Sequence, residues 1–215
     1  MNTTIRLSRR AFSTTTTACS KVGKQTLRVP IGVEITQTPY TIESPPPPSH
    51  RSASVELAVK GPLGALSMPL LPFVQVAVQG EAAKRTLSVT VAEPEERKQK
   101  AMWGTTRRLV EGLVEGVTEG FVVPIRLVGV GYRAAVENGQ VSLKLGHSHP
   151  VVEPIPEGVT VAVPAPQRLV LSGIDKQKVT QFAANIRKHR PPEPYNQKGV
   201  FVGDETIRKK EGKKR

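Results

Sequence analysis

The chain has 215 residues, of which 38% are hydrophobic and only 4% aromatic, so any core must be built mainly from Val, Leu, Ile and Ala. This length suffices for one sizeable domain or two small ones. No stretch approaches the roughly 18 apolar residues that a membrane span requires, which argues against a membrane protein. The single cysteine, Cys19, excludes an intrachain disulfide and a cysteine-based metal site, and it is typical of a reducing compartment.

The formal net charge of +13 is concentrated at the two ends of the chain. Residues 1–28 contain six Lys or Arg and no acid, and residues 187–215 contain ten against four acids, whereas residues 29–186 contain fifteen against fourteen. Because a like-charged end repels itself unless a polyanion neutralises it, this distribution favours a nucleic acid or another anionic surface as the partner. A solvated tail that only aids solubility is the alternative.

The first 20 residues have the composition of an organelle transit peptide. Arg6, Arg9 and Arg10 precede a Ser/Thr-rich run, and no acid occurs before Glu34. Positive charge responds to an inside-negative membrane potential, and residues 10–13 (RAFS) resemble a matrix-peptidase site. We therefore predict a mitochondrial leader over residues 1–20 and exclude it from the fold. A basic leader that is never cleaved is the alternative.

Alternating residues predict antiparallel strands in the first half of the chain. We expect a short strand at residues 33–35, followed by a surface loop over residues 38–53 that includes four consecutive prolines. Residues 55–60, 74–78 and 86–91 each alternate apolar and polar positions, which gives a strand one buried and one solvated face.

Helical spacing replaces this alternation between Met102 and Val117. Gly112 and Gly116 form a GxxxG pattern, but glutamates on the same helix exclude lipid, so we expect these glycines to allow close packing against the sheet. The charged residues 93–100 before the helix are predicted to be a solvated loop.

The second half repeats the order of strands followed by a helix. We predict a strand over residues 128–136, a hairpin turn at Asn138-Gly139, and strands at residues 141–145, 159–163 and 169–171. A helix N-capped by Asp175 should follow and end before Pro191. Residues 74–78 (VQVAV) are echoed by residues 159–163 (VTVAV), which indicates an internal duplication.

The predicted fold class is therefore α+β, with two tandem duplicated domains and a basic C-terminal extension. Each domain, over residues 21–120 and 121–190, should be a small antiparallel sheet with one helix packed on it, and the joint should lie near Gly120. Residues 191–215 form the predicted extension.

Residues 129–134 match the dinucleotide-binding pattern G-x-G-x-x-A. Such a site needs a helix directly after the turn, with its N terminus aimed at the pyrophosphate. A strand and a hairpin turn follow here instead, so we expect the glycines to mark a bulge or close packing between the domains. A nucleotide-dependent enzyme is the alternative from another functional class.

Other chemical motifs are weak. His147 and His149 would share one strand face, a geometry suited to zinc, but cysteine ligands are lacking and the remaining histidines lie in a loop and at a helix end. We expect that turn to contact RNA or the neighbouring domain. Without a nucleophile elbow or a phosphate-cradling loop, we predict no catalytic residue, no metal, no cofactor and no small-molecule substrate, and hence no enzyme.

Residues 191–215 are predicted to project from the last helix as a stiff basic arm. The prolines at positions 191, 192 and 194 exclude a helix. Tyr195 can stack on a base or sugar, Gly199 permits a close backbone approach, and the terminal cations neutralise phosphates.

The C-terminal residues 191–195, 198–199, 204–205 and 208–214 resemble the signature of the universal large-subunit ribosomal protein six family. Residues 61–64, 104–107, 128–134, 148–150 and 173–177 resemble the same family in order and spacing, so the resemblance covers about residues 30–215. It implies two duplicated α+β domains, in agreement with the pattern of predicted elements.

The resemblance also implies binding to the 3′ region of large-subunit rRNA near the sarcin–ricin loop, beside neighbouring large-subunit proteins and close to docked translational GTPases. Together with the leader it favours the mitochondrial ribosome in the matrix over a cytosolic or plastid member. The residues implied as rRNA contacts are Tyr195, Lys198, Gly199, Arg208, Lys209, Lys210, Lys213 and Lys214. Arg190 and Arg215, cations at the two ends of the arm, complete the predicted set.

Three features depart from the family pattern. Asn196-Gln197 stands where Lys-Gly is usual, which removes one cation and one flexible residue. His147 stands where an aromatic residue is common, and the proline-rich loop of residues 38–53 has no counterpart in the compact bacterial form.

Overall fold

The structure is a computed structural model that describes residues 21–40, 54–80 and 85–212. The predicted leader, residues 41–53 of the predicted proline-rich loop, and the predicted RNA contacts at positions 213–215 lie outside the described residues. Neither of the described helices is long and apolar enough to cross a membrane.

The described part of the first half contains six strands and one helix. These are β1 (Leu27–Arg28), β2 (Glu34–Pro39), β3 (Val55–Gly61), β4 (Gly64–Leu70), β5 (Val74–Gln79), β6 (Thr86–Val91) and α1 (Arg97–Thr118). The strands pair antiparallel in two sheets, β1-β6-β5 and β2-β3-β4. Their alternating apolar residues and the apolar stripe of α1 form one core, in which the Trp103 indole donates a hydrogen bond of 2.7 Å to the Val89 carbonyl.

The second half contains seven strands and one helix. These are β7 (Phe121–Val128), β8 (Arg133–Glu137), β9 (Gln140–Lys144), β10 (Val151–Pro154), β11 (Val159–Ala165), β12 (Arg168–Gly173), α2 (Lys176–His189) and β13 (Gly199–Val202). The strands form two antiparallel sheets, β8-β9-β10 and β11-β12-β7-β13. A second core joins these strands to the apolar face of α2, where Asp175 occupies the N-cap and accepts a hydrogen bond of 2.8 Å from the Gln177 amide.

The two halves share one topology, which confirms the predicted duplication within an α+β fold. The order β1-β6-β5 corresponds to β7-β12-β11, and the order β2-β3-β4 corresponds to β8-β9-β10, each set being followed by the helix. The repeated sequences VQVAV and VTVAV lie in the equivalent strands β5 and β11. The strands of each half are divided between two sheets, and β13 has no equivalent among the described residues of the first half.

The predicted single strand over residues 128–136 is wrong. β7 ends at Val128, a turn occupies the next four residues, and β8 begins at Arg133. This turn requires glycine at position 129, because the Tyr132 ring lies against its backbone and a Cβ atom there would be only 2.7 Å from the ring. The preceding strand β7 was not predicted, because Pro124 interrupts its pattern. Proline is tolerated there, since β13 pairs only with residues Ile125 to Val128.

Two predicted loops are shorter than expected. Thr38 and Pro39, placed in the proline-rich loop, belong to β2, whose register with β3 continues to Pro39 opposite Val55. Residues 97–100, placed in a charged loop, form the first turn of α1. Gln99 stabilises this helix start, since its side chain accepts a hydrogen bond of 2.8 Å from the Glu93 amide and donates one of 2.6 Å to Glu96.

A buried cation fastens the segment that precedes β1 to the middle of α1. Arg107 is only 5% exposed, and its Nε donates a hydrogen bond of 2.9 Å to the Gln25 carbonyl. Its guanidinium also pairs with Glu111 at 3.2 Å, and Arg108 hydrogen-bonds the same carboxylate. Partial burial by itself would raise the pKa of Glu111, but the hydrogen bond from Arg108 and the charge of Arg107 hold that pKa below its usual value.

The two halves meet where α1 approaches the loop between β12 and α2. At Gly116 a Cβ atom would lie 2.2 Å from the Ile174 carbonyl oxygen, so only glycine fits. Ile174 also packs against the core of the first half. The expectation that Gly116 would pack on its own sheet is therefore wrong, because it contacts the backbone of the other half.

The two glycines of α1 allow a matched test of this contact. Gly116→Ala should destabilise the protein by about 1–3 kcal/mol through the clash with Ile174, although alanine is the better helix former. Gly112→Ala, where no atom lies within 4 Å of the new Cβ, should stabilise it by about 0.5–1 kcal/mol. Urea denaturation measures both free energies of unfolding, and equal shifts of the same sign would contradict this account of the contact.

Candidate nucleic-acid interface

Positive charge is concentrated in the second half of the chain. Residues 121–215 contain sixteen Lys or Arg and eight acids, whereas residues 21–120 contain twelve and ten. The two halves share a topology but differ in charge, so a polyanion would be attracted chiefly to the second half.

Many of these cations lie at one end of the second half, which we call the distal end. Phe121 is in register with Gly173 at the end that faces the first half, and Arg126 is in register with Arg168 towards the other end. The last turn of α2 and the residues after it lie at this distal end as well, because the chain leaves the interface at Ile174 and α2 ends at His189. The 129–132 turn also lies there, since it follows Val128 at the end of β7.

The predicted projecting arm is wrong for residues 191–202, because the chain folds back onto the second half. β13 pairs with the edge of β7, and Val200 and Phe201 are 0% and 7% exposed. Burial of these apolar side chains is the physical reason for the return of the chain. The Val200 amide donates a hydrogen bond of 2.9 Å to the Arg190 carbonyl, and the Glu193 amide donates one of 3.0 Å to the Lys198 carbonyl.

The residues after β13 are also attached to this folded segment. The Lys210 amide donates a hydrogen bond of 3.0 Å to the Pro194 carbonyl, and the Gln197 side chain donates one of 3.1 Å to the Ile207 carbonyl. Gln197, which replaces a residue usual in the family, therefore has a structural contact of its own. These bonds place residues 207–210 beside residues 194–197, and we call residues 190–212 the C-terminal segment.

A two-bond ion pair connects the C-terminal segment to α2. Arg187 Nε lies 2.9 Å from one Glu205 carboxylate oxygen, and a terminal guanidinium nitrogen lies 2.5 Å from the other. The hydrogen bonds from Arg187 lower the pKa of the Glu205 carboxyl below its ordinary value, and Glu205 in turn raises the pKa of Arg187.

Most of the described members of the predicted rRNA-binding set are exposed. Tyr195 is 53% exposed. The exposed cations of the set are Arg190, Lys198, Arg208, Lys209 and Lys210. None of these side chains has a hydrogen bond or ion pair with another described residue, so they are available to a partner.

Gly199 differs from the rest of the set because it is buried. A Cβ atom at this position would lie 2.5 Å from Pro192 Cα. The close backbone approach expected from this glycine is therefore made to the chain's own Pro192. Its contact with RNA stays a prediction.

The histidines fasten the turn after β9 to the end of α2. His147 Nε2 lies 3.3 Å from the His189 carbonyl oxygen, and His189 Nε2 lies 2.5 Å from a Glu153 carboxylate oxygen. The His147 and His149 rings stack with their centroids 6.0 Å apart. Within the described part of the chain, no group of three or more His, Cys, Asp or Glu side chains is placed to hold a metal ion.

Cations that the sequence reasoning missed lie on neighbouring strands of the second half. Arg126 of β7 is directly opposite Arg168 of β12, and Arg133 of β8 is directly opposite Lys144 of β9. Arg126 also lies over the Phe201 ring, 6.0 Å from its centroid. The sequence gives little sign of these pairs, because each cation stands alone in its strand. Only the register of the strands shows that the cations face each other.

The 129–134 motif lacks the geometry of a dinucleotide site. β8 follows the turn, so no helix N terminus is aimed at the place where a pyrophosphate would lie. The close approach at Gly129 is filled by the Tyr132 ring, which belongs to the same half of the protein. Packing between domains, which we expected as one explanation of these glycines, is therefore wrong.

Comparison with known proteins agrees with the architecture. Residues 50–120 and 128–203 match the family model described as ribosomal protein L6. The chain is 42% identical over 215 residues to "Large ribosomal subunit protein uL6m" of Neurospora crassa, covering 95% of this chain and 84% of that protein. It is 42% identical over 196 residues to "Large ribosomal subunit protein uL6" of Xanthobacter autotrophicus, covering 91% and 99%. A further relative with that name, from Fervidobacterium nodosum, is 47% identical over 161 residues, covering 74% and 88%.

The two family matches fall on the two halves that share a topology, and the family consists of ribosomal proteins rather than enzymes. With its duplicated α+β fold and its matching relatives, the chain belongs to the ribosomal protein L6 family.

Proposed function

We propose that this protein is a structural, RNA-binding component of the large subunit of the mitochondrial ribosome. The observation that carries the proposal is the C-terminal segment, which presents exposed and unpaired cations on a folded support. Lys and Arg side chains neutralise phosphates and release counterions, while Tyr195 offers a flat apolar surface for a base or sugar.

The rigidity of the support favours this function over a solubility tail. A solvated tail needs no fixed structure, but here Val200 and Phe201 are buried and residues 190–210 are joined by backbone hydrogen bonds. Since these contacts order the backbone when the protein folds, binding to RNA need not bear that entropic cost again. The predicted contact set of the sequence analysis is retained, with Arg126 and Arg168 added on the same end.

The position on the ribosome is inferred from the family resemblance. We infer that the distal end binds the 3′ region of large-subunit rRNA near the sarcin–ricin loop, beside other large-subunit proteins and close to the docking site of translational GTPases. The nearly neutral first half supports this arrangement, because it is less suited to phosphates and is free to face protein neighbours or solvent.

The mitochondrial location is inferred from two independent features. The first 20 residues have an Arg-rich, acid-free composition that suits import into the matrix. One relative that matches nearly the whole chain is the mitochondrial form of the family from Neurospora crassa.

Gradient sedimentation of mitochondrial lysates tests the location. The endogenous protein should sediment with the large subunit, and dissociation of the ribosome by RNase should release it to the top of the gradient. Sedimentation with cytosolic ribosomes, or none with any large subunit, would refute the assignment.

The salt dependence of binding tests the role of the C-terminal segment. With about six phosphate contacts, the wild-type protein should bind mitochondrial large-subunit rRNA with a log K against log salt slope of roughly −4 to −5. The triple variant Arg208→Gln, Lys209→Gln and Lys210→Gln should weaken binding by ~10- to 100-fold and make the slope less steep by about 2–3. Filter binding at several salt concentrations measures both quantities.

A triple variant in the first half provides the control with the same change of charge. Lys60, Arg97 and Lys98 are exposed cations, and their replacement by Gln should leave both the affinity and the slope nearly unchanged. Equal losses in the two triple variants would show that only net charge matters, and a wild-type affinity independent of salt would refute RNA binding through phosphates.

The pairing of Glu205 with Arg187 should stabilise the C-terminal segment in a pH-dependent way. Because the pKa of Glu205 is lower in the folded than in the unfolded protein, the stabilisation is complete above the unfolded pKa and is lost as the pH falls through the folded pKa. Glu205→Gln should therefore increase opening of the segment at pH 7 by about 0.2–1 kcal/mol, the range for a partly exposed pair. The difference from the wild-type protein should vanish in acid.

Hydrogen exchange of the Gly203 amide measures this opening, since that amide donates a hydrogen bond to the Pro124 carbonyl of β7, outside the segment. Exchange of the Val200 amide, which is bonded to the Arg190 carbonyl, reports on the segment itself. Glu193→Gln removes an acid of the same segment that has no ion pair with a described residue, and it is the matched control. Faster exchange in both variants alike would count against a specific role of the Glu205 pair.

A further inference from the structure

A groove lies beside the turn between β11 and β12. Its volume is about 520 Å³, and its lining residues are Gly131, Tyr132, Arg133, Lys144, Ala165, Pro166 and Gln167. We call it the Tyr132 groove. Its walls are held together by backbone hydrogen bonds, since the Ala134 amide donates to the Pro166 carbonyl at 2.8 Å and the Leu127 amide donates to the Gln167 carbonyl at 2.9 Å.

Two cations face each other across neighbouring strands in this groove. Arg133 and Lys144 are exposed and in direct register, which brings their Cβ atoms within about 4.5–5.5 Å. Neither side chain has an ion pair or hydrogen bond with another residue in the described part of the chain. Like charges placed directly opposite destabilise a sheet, and an anion that lies between them would offset this repulsion.

Tyr132 adds a buried polar group with a free hydroxyl. The residue is only 7% exposed, and its ring lies between Gly129 and Gly146, where Cβ atoms would be 2.7 and 3.2 Å from ring carbons. The hydroxyl has no hydrogen-bond partner among the described residues, yet no buried and unsatisfied side-chain oxygen or nitrogen is found there. The oxygen therefore reaches solvent, and Tyr132 is one of the residues that line the groove.

The geometry points to a phosphate site: we propose that the Tyr132 groove binds a backbone phosphate of RNA through Arg133, Lys144 and the Tyr132 hydroxyl. This inference rests on the proposed function, and it assigns a second contact to the same RNA-binding half. Leu127 of β7 lies between the groove and the C-terminal segment, since its amide donates a hydrogen bond to the Gln167 carbonyl and it is in register with Val200. Two strand spacings, roughly 10 Å, therefore separate the two. The phosphate bound in the groove is thus a different one from those that meet the C-terminal segment.

Two variants of the full chain separate charge from hydrogen bonding. The double variant Arg133→Gln and Lys144→Gln should weaken binding to mitochondrial large-subunit rRNA roughly tenfold at 0.15 M salt and make the salt slope less steep by about 1.5. Tyr132→Phe keeps the ring between the two glycines, so it should weaken binding about fivefold with an unchanged slope. The control is Arg97→Gln with Lys98→Gln, two exposed cations of the first half, which should bind like the wild-type protein.

The thermal stability of the double variant distinguishes a loss of RNA affinity from unfolding of the protein. Because Arg133 and Lys144 repel each other, the thermal midpoint of the double variant should equal or exceed that of the wild-type protein while its affinity falls. Hydroxyl-radical footprinting of the bound RNA should show a loss of protection in both cases. The nucleotides affected by the groove variants should differ from those affected by the triple variant at Arg208, Lys209 and Lys210.

The outcomes separate the two proposals. Groove variants that bind like the wild-type protein, beside a C-terminal variant that binds weakly, would overturn the groove site and leave the proposed function standing. Loss of protection at the same nucleotides in both sets would overturn the assignment of a separate phosphate. A wild-type protein whose RNA binding is independent of salt would overturn the proposed function itself.

Discussion

The candidate interface depends on the pairing of β13 with the edge of β7. Four residues, Gly199–Val202, extend the sheet of the second half and bury Val200 and Phe201. Without this pairing the last residues of the chain would be a tail of repelling charges. With it, Arg190, Lys198 and residues 208–210 belong to a hydrogen-bonded segment that is attached to both the sheet and α2. The apolar residues within a basic segment are thus what gives its cations fixed positions.

Much of the fold could be predicted from the sequence, because alternation and helical spacing report which face of an element is buried. The strands that were missed share a physical cause. β1, β4, β10 and β13 are all edge strands, short or containing proline, and an edge strand needs only one pairing partner. β7 was hidden by Pro124 in a similar way. The apolar pattern of one segment cannot show that it pairs with a strand about 70 residues away in the sequence, as β13 does with β7.

The candidate interface could also be predicted only in part, because composition is visible in the sequence and distant pairing is not. Charge at the end of the chain is visible in composition, so Arg190 and the later cations could be selected without a structure. The folding back of the segment could not, because it depends on the fit of Gly199 against Pro192 and on the pairing of Glu205 with Arg187. The pairs Arg126–Arg168 and Arg133–Lys144 exist only through strand register, which fixes partners that no local pattern connects.

The duplication explains how one fold supplies both a support and a binding surface. The two halves have equivalent strands and helices, and the contact of Gly116 with Ile174 leaves no room for a side chain between them. The first half is close to neutral, and its buried cation Arg107 is hydrogen-bonded to a carbonyl and paired with a carboxylate. In the second half, by contrast, pairs of cations face each other and have no acidic partner among the described residues. This arrangement lowers the stability of that half. Because an external anion would offset the repulsion, the asymmetry between the equivalent halves supports the proposal that RNA binds to the second half.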